Sequence, residues 1–282
     1  MTKKEEKKSS ILKNLILLIL FLGMGIILYS HFIGTKGLVV REYSVINNKL
    51  TDNFHGLKIV HFSDLHYGTT IHLKELKNIV KEINLLKPQI VFFTGDLIDN
   101  DANISKDELT KILIELNKIN PEIVSYVVRG NHDHSQEYNE ILKNVDIKLL
   151  DNKSELFYYN SNNPLLIIGL SDYLVGDQDI NLAFANYNEE YYTILLMHEP
   201  DSVNNLGDYQ ADLILAGHSH NGQVRLPFIG SVLKVNGARS YYDSEYLIDN
   251  SPMYISGGLG TSKYPFRLFN HPSFNFYRLY NK

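Results

Sequence analysis

The longest hydrophobic run of the chain lies near its N-terminus and differs in pattern from everything that follows. Residues 15–33 are almost all Leu, Ile, Gly, Phe and Met, without the polar stripe that a helix on a protein surface carries. At about 1.5 Å per residue, a helix over this run nearly spans the hydrocarbon core of a bilayer, which is about 30 Å thick. The pattern therefore predicts one transmembrane helix over residues 15–33, preceded by a basic tail over residues 1–14.

Two other interpretations of this run are open: a cleaved signal peptide and a buried helix of a soluble protein. Signal-peptide cleavage requires small residues in an A-x-A-like pattern just after the apolar run, and residues 31–34 match that pattern poorly. Five lysines precede the run and fewer basic residues follow it closely, so the positive-inside rule places the N-terminus in the cytoplasm. We therefore predict a single-pass signal anchor in the cell membrane, with the rest of the chain outside the cytoplasm.

Beyond residue 50, short apolar runs alternate with stretches of helical periodicity. The order β-α-β-α-β indicates parallel strands with helices on the faces of the sheet. We expect a single α/β domain over residues 51–282, with residues 34–50 forming a linker and an edge strand. Strands are predicted at residues 57–62, 90–93, 123–128, 165–168, 193–197, 213–215, 223–226, 254–256 and 274–279. Helices are predicted at residues 71–87, 105–119 and 136–144, the second with a capping box between Ser105 and Glu108.

The composition restricts the kinds of active site that the chain can have, but it says little about the fold. The chain is 44% apolar and 21% charged, which is ordinary for a folded protein. It has no cysteine, which excludes disulfides, thiolate catalysis and Cys-ligated zinc or iron–sulfur sites, so a metal site must use His, carboxylates and amides. The net charge is −5 and no long basic stretch follows the N-terminal tail, which argues against specific nucleic-acid binding.

Side chains that can bind metals follow five of the predicted strands, at the point where each strand ends. In open α/β sheets, ligands bind outside the carboxyl ends of the strands, so we expect the five loops to converge on one place. The first two motifs are weak signals and the Gly130 and Gly217 motifs are less common; each alone could be structural, but five in order are poorly explained by structural roles. The motifs are Ser63-Asp64-Leu65-His66, Gly95-Asp96, Gly130-Asn131-His132-Asp133, His198 and Gly217-His218-Ser219-His220.

The residue types in these motifs suit a pair of divalent cations. A carboxylate such as Asp96 can bridge two ions, neutral imidazoles complete their shells, and the Asn131 amide coordinates without adding charge. The predicted metal ligands are Asp64, His66, Asp96, Asn131, His198, His218 and His220. Glycines 95, 130 and 217 are expected to permit backbone turns that are closed to other residues. Histidines outside the motifs are interpreted as packing or surface residues, although His61 and His134 are also considered as neighbours of the site.

In this order, the motifs resemble the D-x-H, G-D, G-N-H-D/E, H and G-H-x-H pattern of the calcineurin-like metallophosphoesterases. The resemblance covers roughly residues 57–225 and implies a four-layer α-β-β-α sandwich of the metallophosphoesterase type, here preceded by the transmembrane helix. The chain further resembles the membrane-associated bacterial YkuE/YaeI-type subgroup, through residues 61–66, 197–200, 217–223 and 257–262 and through Arg267. It departs from that subgroup at Asn221, where a glycine is usual, and at Ser273, where a glutamate is usual.

The resemblance also implies roles for the residues. One cation would take Asp64, His66, Asp96 and His220, and the other would take Asp96, Asn131, His198 and His218. His132 corresponds to the general acid of the family, which donates a proton to the leaving group or stabilises its charge. Asp64 is expected to orient His132 while it binds metal. Two divalent cations are expected, with Mn the first choice and Fe or Zn as alternatives.

Together these features predict a membrane-anchored dimetal phosphoesterase that hydrolyses a phosphate ester or pyrophosphate bond through a metal-bridging hydroxide. Its substrate would be a phosphorylated small molecule, a nucleotide conjugate or a lipid. One alternative is a lipid-linked substrate, as in relatives that cleave UDP-2,3-diacylglucosamine. Another is a non-catalytic metal-binding scaffold, although such members of the family have typically lost ligands that this chain keeps.

Overall fold

The structure is a computed structural model that describes residues 3–282 of the chain. Its helices are α1 (Lys3–Phe32), α2 (Leu73–Leu85), α3 (Lys106–Leu116), α4 (Gln136–Asn144) and α5 (Ile180–Ala183). Its strands are β1 (Val39–Asn47), β2 (Lys58–Phe62), β3 (Ile90–Phe93), β4 (Val124–Val127), β5 (Lys148–Leu149), β6 (Lys153–Phe157), β7 (Leu165–Gly169), β8 (Tyr192–Leu196), β9 (Leu213–Ala216), β10 (Arg225–Leu226), β11 (Gly230–Ser231), β12 (Glu245–Ile248), β13 (Ser251–Ile255) and β14 (Ser273–Asn281).

The strands form two six-stranded sheets and one small hairpin. The first sheet has the order β1-β14-β2-β3-β4-β5, and β2 to β5 run parallel to one another, as the β-α-β-α-β order predicts. β14 runs antiparallel to β2, and β1 pairs with β14 in parallel as the edge strand of the sheet. The second sheet has the order β12-β13-β9-β8-β7-β6, with parallel strands in its centre and an antiparallel strand at each edge. The hairpin pairs β10 with β11.

Alternating side chains of the two sheets build three apolar layers between four layers of structure. On the outer face of the first sheet, Val91 and Phe93 pack with residues of α2, α3 and α4. Between the sheets, Phe92 lies in one core with Ile167 and Ile194. On the outer face of the second sheet, Leu195 packs in a core with α5 and a short 3-10 helix at Pro200–Asn205. This arrangement confirms the α-β-β-α sandwich, with a thin outer layer on the second sheet.

α1 is longer than the predicted transmembrane segment, because the polar residues before position 15 are also helical. Its part from Ser10 to Phe32, 23 residues, is long and apolar enough to cross a membrane, and its large apolar side chains are exposed, although Ser30 near its end is buried. This exposure does not fit the alternative of a buried helix in a soluble protein. Residues 1 and 2 of the predicted basic tail lie outside the described residues.

The remaining differences between prediction and structure lie at edges and helix ends. β5 and β11 have two residues each and β6 and β12 are edge strands, so none of them shows a clear apolar run. α3 ends at Leu116, three residues before the predicted end. Ser105 caps α3 by accepting the N–H of Glu108 at 3.2 Å. The predicted capping box is wrong, because the Glu108 carboxylate accepts a hydrogen bond from Tyr67 instead.

Candidate metal centre

All five predicted motifs meet at one place, where strands of both sheets end. Asp64 and His66 follow β2, Asp96 follows β3, and the motif of residues 130–133 follows β4 in the first sheet. His198 follows β8, and the motif of residues 217–220 follows β9 in the second sheet. The site therefore lies at the carboxyl ends of strands from both sheets, as is usual for ligand sites in α/β proteins.

Two carboxylates lie between two pairs of imidazoles in this site. Asp96 Oδ2 is 3.4 Å from His66 Nε2 and 3.2 Å from His198 Nε2. Asp64 Oδ1 is 3.4 Å from His220 Nε2 and 4.0 Å from the Nε2 atoms of His66 and His198. The paired nitrogens of His66 and His220 are 3.1 Å apart, and those of His198 and His218 are 3.2 Å apart. Asp96 therefore lies between His66 and His198, one imidazole from each pair.

Hydrogen bonds outside the centre fix the direction of three imidazoles. His66 Nδ1 donates to Asp99 at 3.1 Å, His198 Nδ1 donates to the Thr94 carbonyl at 2.6 Å, and His218 Nε2 donates to the Asn236 carbonyl at 2.7 Å. Each ring then turns its other nitrogen toward the centre, where that nitrogen can bind a cation when the ring is neutral. His220 differs, because its Nδ1 faces the Arg267 guanidinium at 3.3 Å.

The side chain of Asn131 gives an independent test of whether the site suits a cation. Its Oδ1 atom is fully buried and has no hydrogen-bond partner among the described residues. A buried amide oxygen without a donor is costly, and a bound cation would compensate that cost. The donor set of imidazole, carboxylate and amide oxygen suits Mn, Fe or Zn, so the residues fit a divalent metal.

Burial and charge set the protonation of the centre. Burial lowers the pKa of His218 to about 4 and that of His220 well below its usual range, so both rings are neutral at pH 7. Burial also opposes charging of Asp96, but His198 beside it holds the pKa of that carboxyl well below its usual range. Burial opposes charging of His198, but Asp96 raises the pKa of that ring well above its usual range. The centre therefore combines the neutral rings of His218 and His220 with a charged pair of Asp96 and His198, and a cation that binds there displaces the His198 proton.

Five of the proposed ligands adopt left-handed backbone conformations that non-glycine residues rarely adopt. Their φ angles lie between 40° and 65°. Such residues cost about 1–2 kcal/mol each relative to ordinary conformations and tend to cluster at functional sites. The five residues are Asp64, His66, Asp96, His218 and His220.

The three motif glycines serve two different purposes. Gly95 has a φ of +91°, as expected of a turn closed to other residues. The same expectation is wrong for Gly130 and Gly217, which do not have positive φ angles. They are glycine because atoms approach closely: an added Cβ would lie 2.3 Å from Asp96 Oδ1 at the first and 2.8 Å from Ser63 Oγ at the second.

Substitution of Gly130 by alanine should disrupt the centre. The added Cβ would overlap Asp96 and would lie 2.8 Å from His198 Cε1, so the carboxylate or the ring must move. We expect metal content and hydrolysis to fall together, measured by elemental analysis and a phosphodiester assay. Gly207→Ala is the control, because its φ of +61° costs about 1 kcal/mol of stability while its added Cβ meets no atom within 4 Å. Equal metal content in both variants would contradict this account.

His132, which is predicted to be a proton donor and not a ligand, lies beside the centre and packs edge-on against the His66 ring, with centroids 4.7 Å apart. Its backbone N–H donates to Asp96 Oδ1 at 2.9 Å, and its Nδ1 accepts the N–H of Asn100 at 3.2 Å. The neutral ring therefore carries its proton on Nε2. Burial lowers the pKa of His132, while Asp96 opposes that shift. The carboxylate nearest to this ring is that of Asp99, 4.0 Å from Nδ1, and not that of Asp64 as expected.

Two further carboxylates, to which the sequence assigned no role, hold the site together. The Asp99 carboxylate accepts a hydrogen bond from His66. The feature of the sequence that could have pointed to Asp99 is its position three residues after Asp96. Asp133 accepts the N–H groups of Asp96, Leu97 and Gly130 at 2.7, 2.9 and 2.9 Å. The last residue of the Gly130 motif thus ties the loop after β3 to the loop after β4.

Arg267 and Asn221 explain two features of the sequence beyond the ligand motifs. Arg267 is fully buried and donates to the carbonyls of Gly257, Gly258 and Gly260, so it fixes the tail loop beside His220. Asn221 has a φ of 51°, a conformation that glycine adopts freely and that asparagine tolerates better than other residues. This accounts for an asparagine where the subgroup usually has glycine.

His61 and His134 occupy different positions relative to the centre. His61 is buried behind it, 2.8 Å from Thr94 Oγ1, and the Thr94 carbonyl in turn orients His198. His134 lies 2.9 Å from Asp172 and has no contact with a proposed ligand within the part of the chain that the structure describes. Of the two, His61 therefore supports the site.

The environment of His61 predicts an acid-sensitive fold. Burial lowers its pKa to about 3, against about 6.5 in an unfolded chain, so between these values only the unfolded state binds the proton. Stability is therefore lost as the pH falls below about 6.5, by about 2 kcal/mol between pH 7 and pH 5. Denaturant titrations of detergent-solubilised His61→Gln should show a correspondingly weaker pH dependence. The exposed control His55→Gln should keep the original slope; an unchanged slope in the His61 variant would refute the assignment.

Comparison with known proteins agrees with the geometry. The family model described as "Calcineurin-like phosphoesterase" matches residues 57–222. The metallophosphoesterases YkuE and YkoQ of Bacillus subtilis are similar to the chain, at 28% identity over 89% of this chain and 88% of YkuE, and at 26% identity over 92% of this chain and 99% of YkoQ. The UDP-2,3-diacylglucosamine pyrophosphatase LpxG of Chlamydia muridarum is 28% identical over 62% of this chain and 67% of its own length.

Proposed function

This chain belongs to the calcineurin-like phosphoesterase family and is a metal-dependent phosphoric ester hydrolase, and we propose that it hydrolyses its substrate at the centre described above. The observation that carries the proposal is the position of Asp96 between His66 and His198, whose rings are turned toward it by outward hydrogen bonds. In this proposal one cation is held by Asp64, His66, Asp96 and His220, and the other by Asp96, Asn131, His198 and His218.

Two divalent cations bound there would supply Lewis-acid polarisation of the phosphoryl group and activation of water. The protein supplies the rest of the chemistry through fixed positions. Asp99 and the Thr94 carbonyl hold two imidazoles in the binding tautomer, and Asp133 keeps Asp96 in place. We propose Mn as the resident metal, with Fe or Zn as alternatives that the same ligands accept.

His132 acts on the leaving group in this proposal. Its Nδ1 accepts a backbone N–H, so the neutral ring has a proton on Nε2 to donate in a hydrogen bond. This supports stabilisation of the leaving oxygen, the second of the two roles expected for this residue. A negatively charged substrate beside the ring would raise its pKa and favour full proton transfer.

The segment Ser10–Phe32 is proposed to anchor the enzyme in the cell membrane. Its length, composition and exposed apolar side chains support a single span, and the preceding lysines support a cytoplasmic N-terminus. Residues 34–50 would then link the span to an extracytoplasmic domain over residues 51–282. Protease added to intact cells should digest that domain; digestion only after permeabilisation would place it in the cytoplasm instead.

A lipid-linked phosphate or pyrophosphate is the second substrate class that we propose. It is supported by the similarity to LpxG and by the anchor, which would hold the site close to lipids. A nucleotide-linked substrate made in the cytoplasm fits less well with an extracytoplasmic site. In the protease experiment, digestion in intact cells would therefore favour the lipid-linked substrate, and protection would favour the nucleotide-linked one.

A direct assay tests the catalytic proposal against the scaffold alternative. The purified full chain is loaded with Mn²⁺, its metal content is measured, and bis-p-nitrophenyl phosphate is offered as substrate. We expect two metal ions per chain, hydrolysis that stops on chelation, and recovery when Mn²⁺ is restored. Binding of metal without hydrolysis of this diester or of the corresponding monoester would favour a scaffold.

A further inference from the structure

Six large apolar side chains that are about half exposed or more lie on two neighbouring segments of the domain. One segment is the hairpin of β10 and β11 with the residues just after it, and the other is the loop over residues 262–269. At the tip of the hairpin, Phe228 is completely exposed and Ile229 is 72% exposed. We call this surface the apolar rim; its residues are Phe228, Ile229, Val232, Leu233, Tyr264 and Phe269.

Two hydrogen bonds join the two segments into one surface. Arg225 at the start of the hairpin donates its N–H to the Leu268 carbonyl at 3.0 Å. The side chain of Gln223 donates to the Tyr264 carbonyl at 3.0 Å. The hairpin and the loop are thus fixed to each other at their bases, and their exposed apolar side chains belong to a single unit.

The same loop holds the end of α1. The Arg267 N–H donates to the Ser30 carbonyl at 3.0 Å, and His31 Nδ1 donates to the Pro265 carbonyl at 2.9 Å. Gly34 lies so close to Arg267 that an added Cβ would be 1.8 Å from its carbonyl oxygen. The point where the proposed span ends is therefore packed directly against the loop that carries Tyr264 and Phe269.

Two residues of the apolar rim adopt backbone conformations that phenylalanine avoids. Phe228 has a φ of 66° and Phe269 has a φ of 50°. Left-handed conformations suit glycine and asparagine, and a bulky side chain there carries a cost. Both side chains are mostly exposed, so packing within the domain does not offset this cost. Exposed apolar groups held at such a cost indicate a contact outside the chain.

We infer that the apolar rim docks onto the surface of the same bilayer that α1 spans, with Phe228 and Ile229 at the acyl boundary. This rests on the proposed membrane anchor. A bilayer is favoured over a second copy of the chain because the rim is continuous with the end of the span. Its exposed lysines, Lys234 and Lys263, also suit phosphate headgroups beside apolar and aromatic side chains.

Docking would bring the metal centre close to the headgroup layer. The hairpin begins directly after the 3-10 helix His220–Gly222, and an added Cβ on Gly222 would lie 2.4 Å from Ser231 in β11. Arg267 lies between the anchored loop and His220. The rim is thus built onto the elements that hold the ligands, rather than onto a remote part of the domain.

The chain contains no tryptophan, so a single introduced tryptophan reports on its own surroundings. The full chain with Phe228→Trp is reconstituted into phosphatidylcholine–phosphatidylglycerol vesicles, with and without brominated acyl chains. We expect a blue-shifted emission that is largely lost in brominated vesicles. The matched control is Tyr158→Trp, at an exposed aromatic position next to β6, which should emit as in water and resist quenching.

Other outcomes overturn the inference in distinguishable ways. Emission of the Phe228 variant that matches the Tyr158 variant would show that the rim does not touch lipid. A blue shift that increases with the protein-to-lipid ratio and is the same in brominated vesicles would show that a second copy of the chain covers the apolar rim. Leu18→Trp in α1 reports the anchor separately: if it escapes quenching, the anchor itself is wrong, whereas diester hydrolysis tests the catalytic proposal independently.

Discussion

Replacing Asp96 by alanine should abolish metal loading and hydrolysis together. Asp96 Oδ2 lies between His66 and His198, so its loss removes the proposed bridge and leaves the two halves of the site without a shared anion. Metal ions contribute several kcal/mol of transition-state stabilisation, so kcat/KM should fall by at least about 10³-fold. Elemental analysis and the diester assay on the same preparation measure both effects.

The matched control is Asp208→Ala, which removes an exposed aspartate that belongs to none of the five motifs. It should keep its metal and its activity. Unfolding measurements show whether the Asp96 variant has lost its fold rather than its site. A folded Asp96 variant with its full complement of metal would contradict the bridging role.

Replacing His132 by alanine should separate chemistry from metal binding. His132 donates its backbone N–H to Asp96, its Nδ1 accepts the N–H of Asn100, and the proposed ligand set does not include its ring. Both metal ions should therefore remain, while the rate falls by about 10²–10⁴-fold, the usual contribution of a positioned proton donor. Metal content and kcat of the same samples are compared with those of the unmodified chain.

The dependence of the rate loss on the leaving group distinguishes proton transfer by His132 from hydrogen-bond donation. If the ring transfers its proton, the loss should be larger for an alkyl ester than for a p-nitrophenyl ester, because the alkoxide needs the proton more. If the ring only donates a hydrogen bond, as the Asn100 contact suggests, the two losses should be similar. Full activity of the variant toward the alkyl ester would rule out both roles.

Much of the fold and of the site follows from local patterns. The strands β2, β3, β4, β8 and β9 are short, buried and rich in β-branched or aromatic residues, so periodicity identifies them. Parallel strands place their carboxyl ends on one side, which is why the five motifs could be expected to meet. The order of the motifs then identifies the family, and the structure brings six of the seven predicted ligands into one cluster, with Asn131 in the adjoining loop after β4.

Interactions between distant residues could not be predicted in this way. Asp99 and Asp133 hold His66 and the loop after β3, but nothing in a single sequence marks an aspartate as an acceptor for a particular group. The left-handed backbone of the ligands is equally hidden, since glycine or asparagine would be expected there. For Gly130, the reason is the approach of Asp96 and not its own φ, which only the three-dimensional structure shows.

The apolar rim at the surface could not be predicted from local sequence patterns either. A hydrophobic run predicts α1, but the contact of Arg267 with Ser30 joins residues more than two hundred positions apart. Single exposed apolar residues are common on proteins, so Phe228 or Phe269 alone in the sequence carries no signal. Only their proximity to the end of the helix gives them a common explanation.

The central claim is a dimetal centre around Asp96, and anomalous X-ray diffraction at the manganese edge tests it most directly. Crystals of the Mn-loaded chain should show two anomalous peaks about 3.5–4 Å apart, the usual spacing of two-metal sites. One peak should lie next to Asp64 and His220, the other next to Asn131 and His218, with Asp96 between them. A single peak, or two peaks away from these residues, would contradict the account.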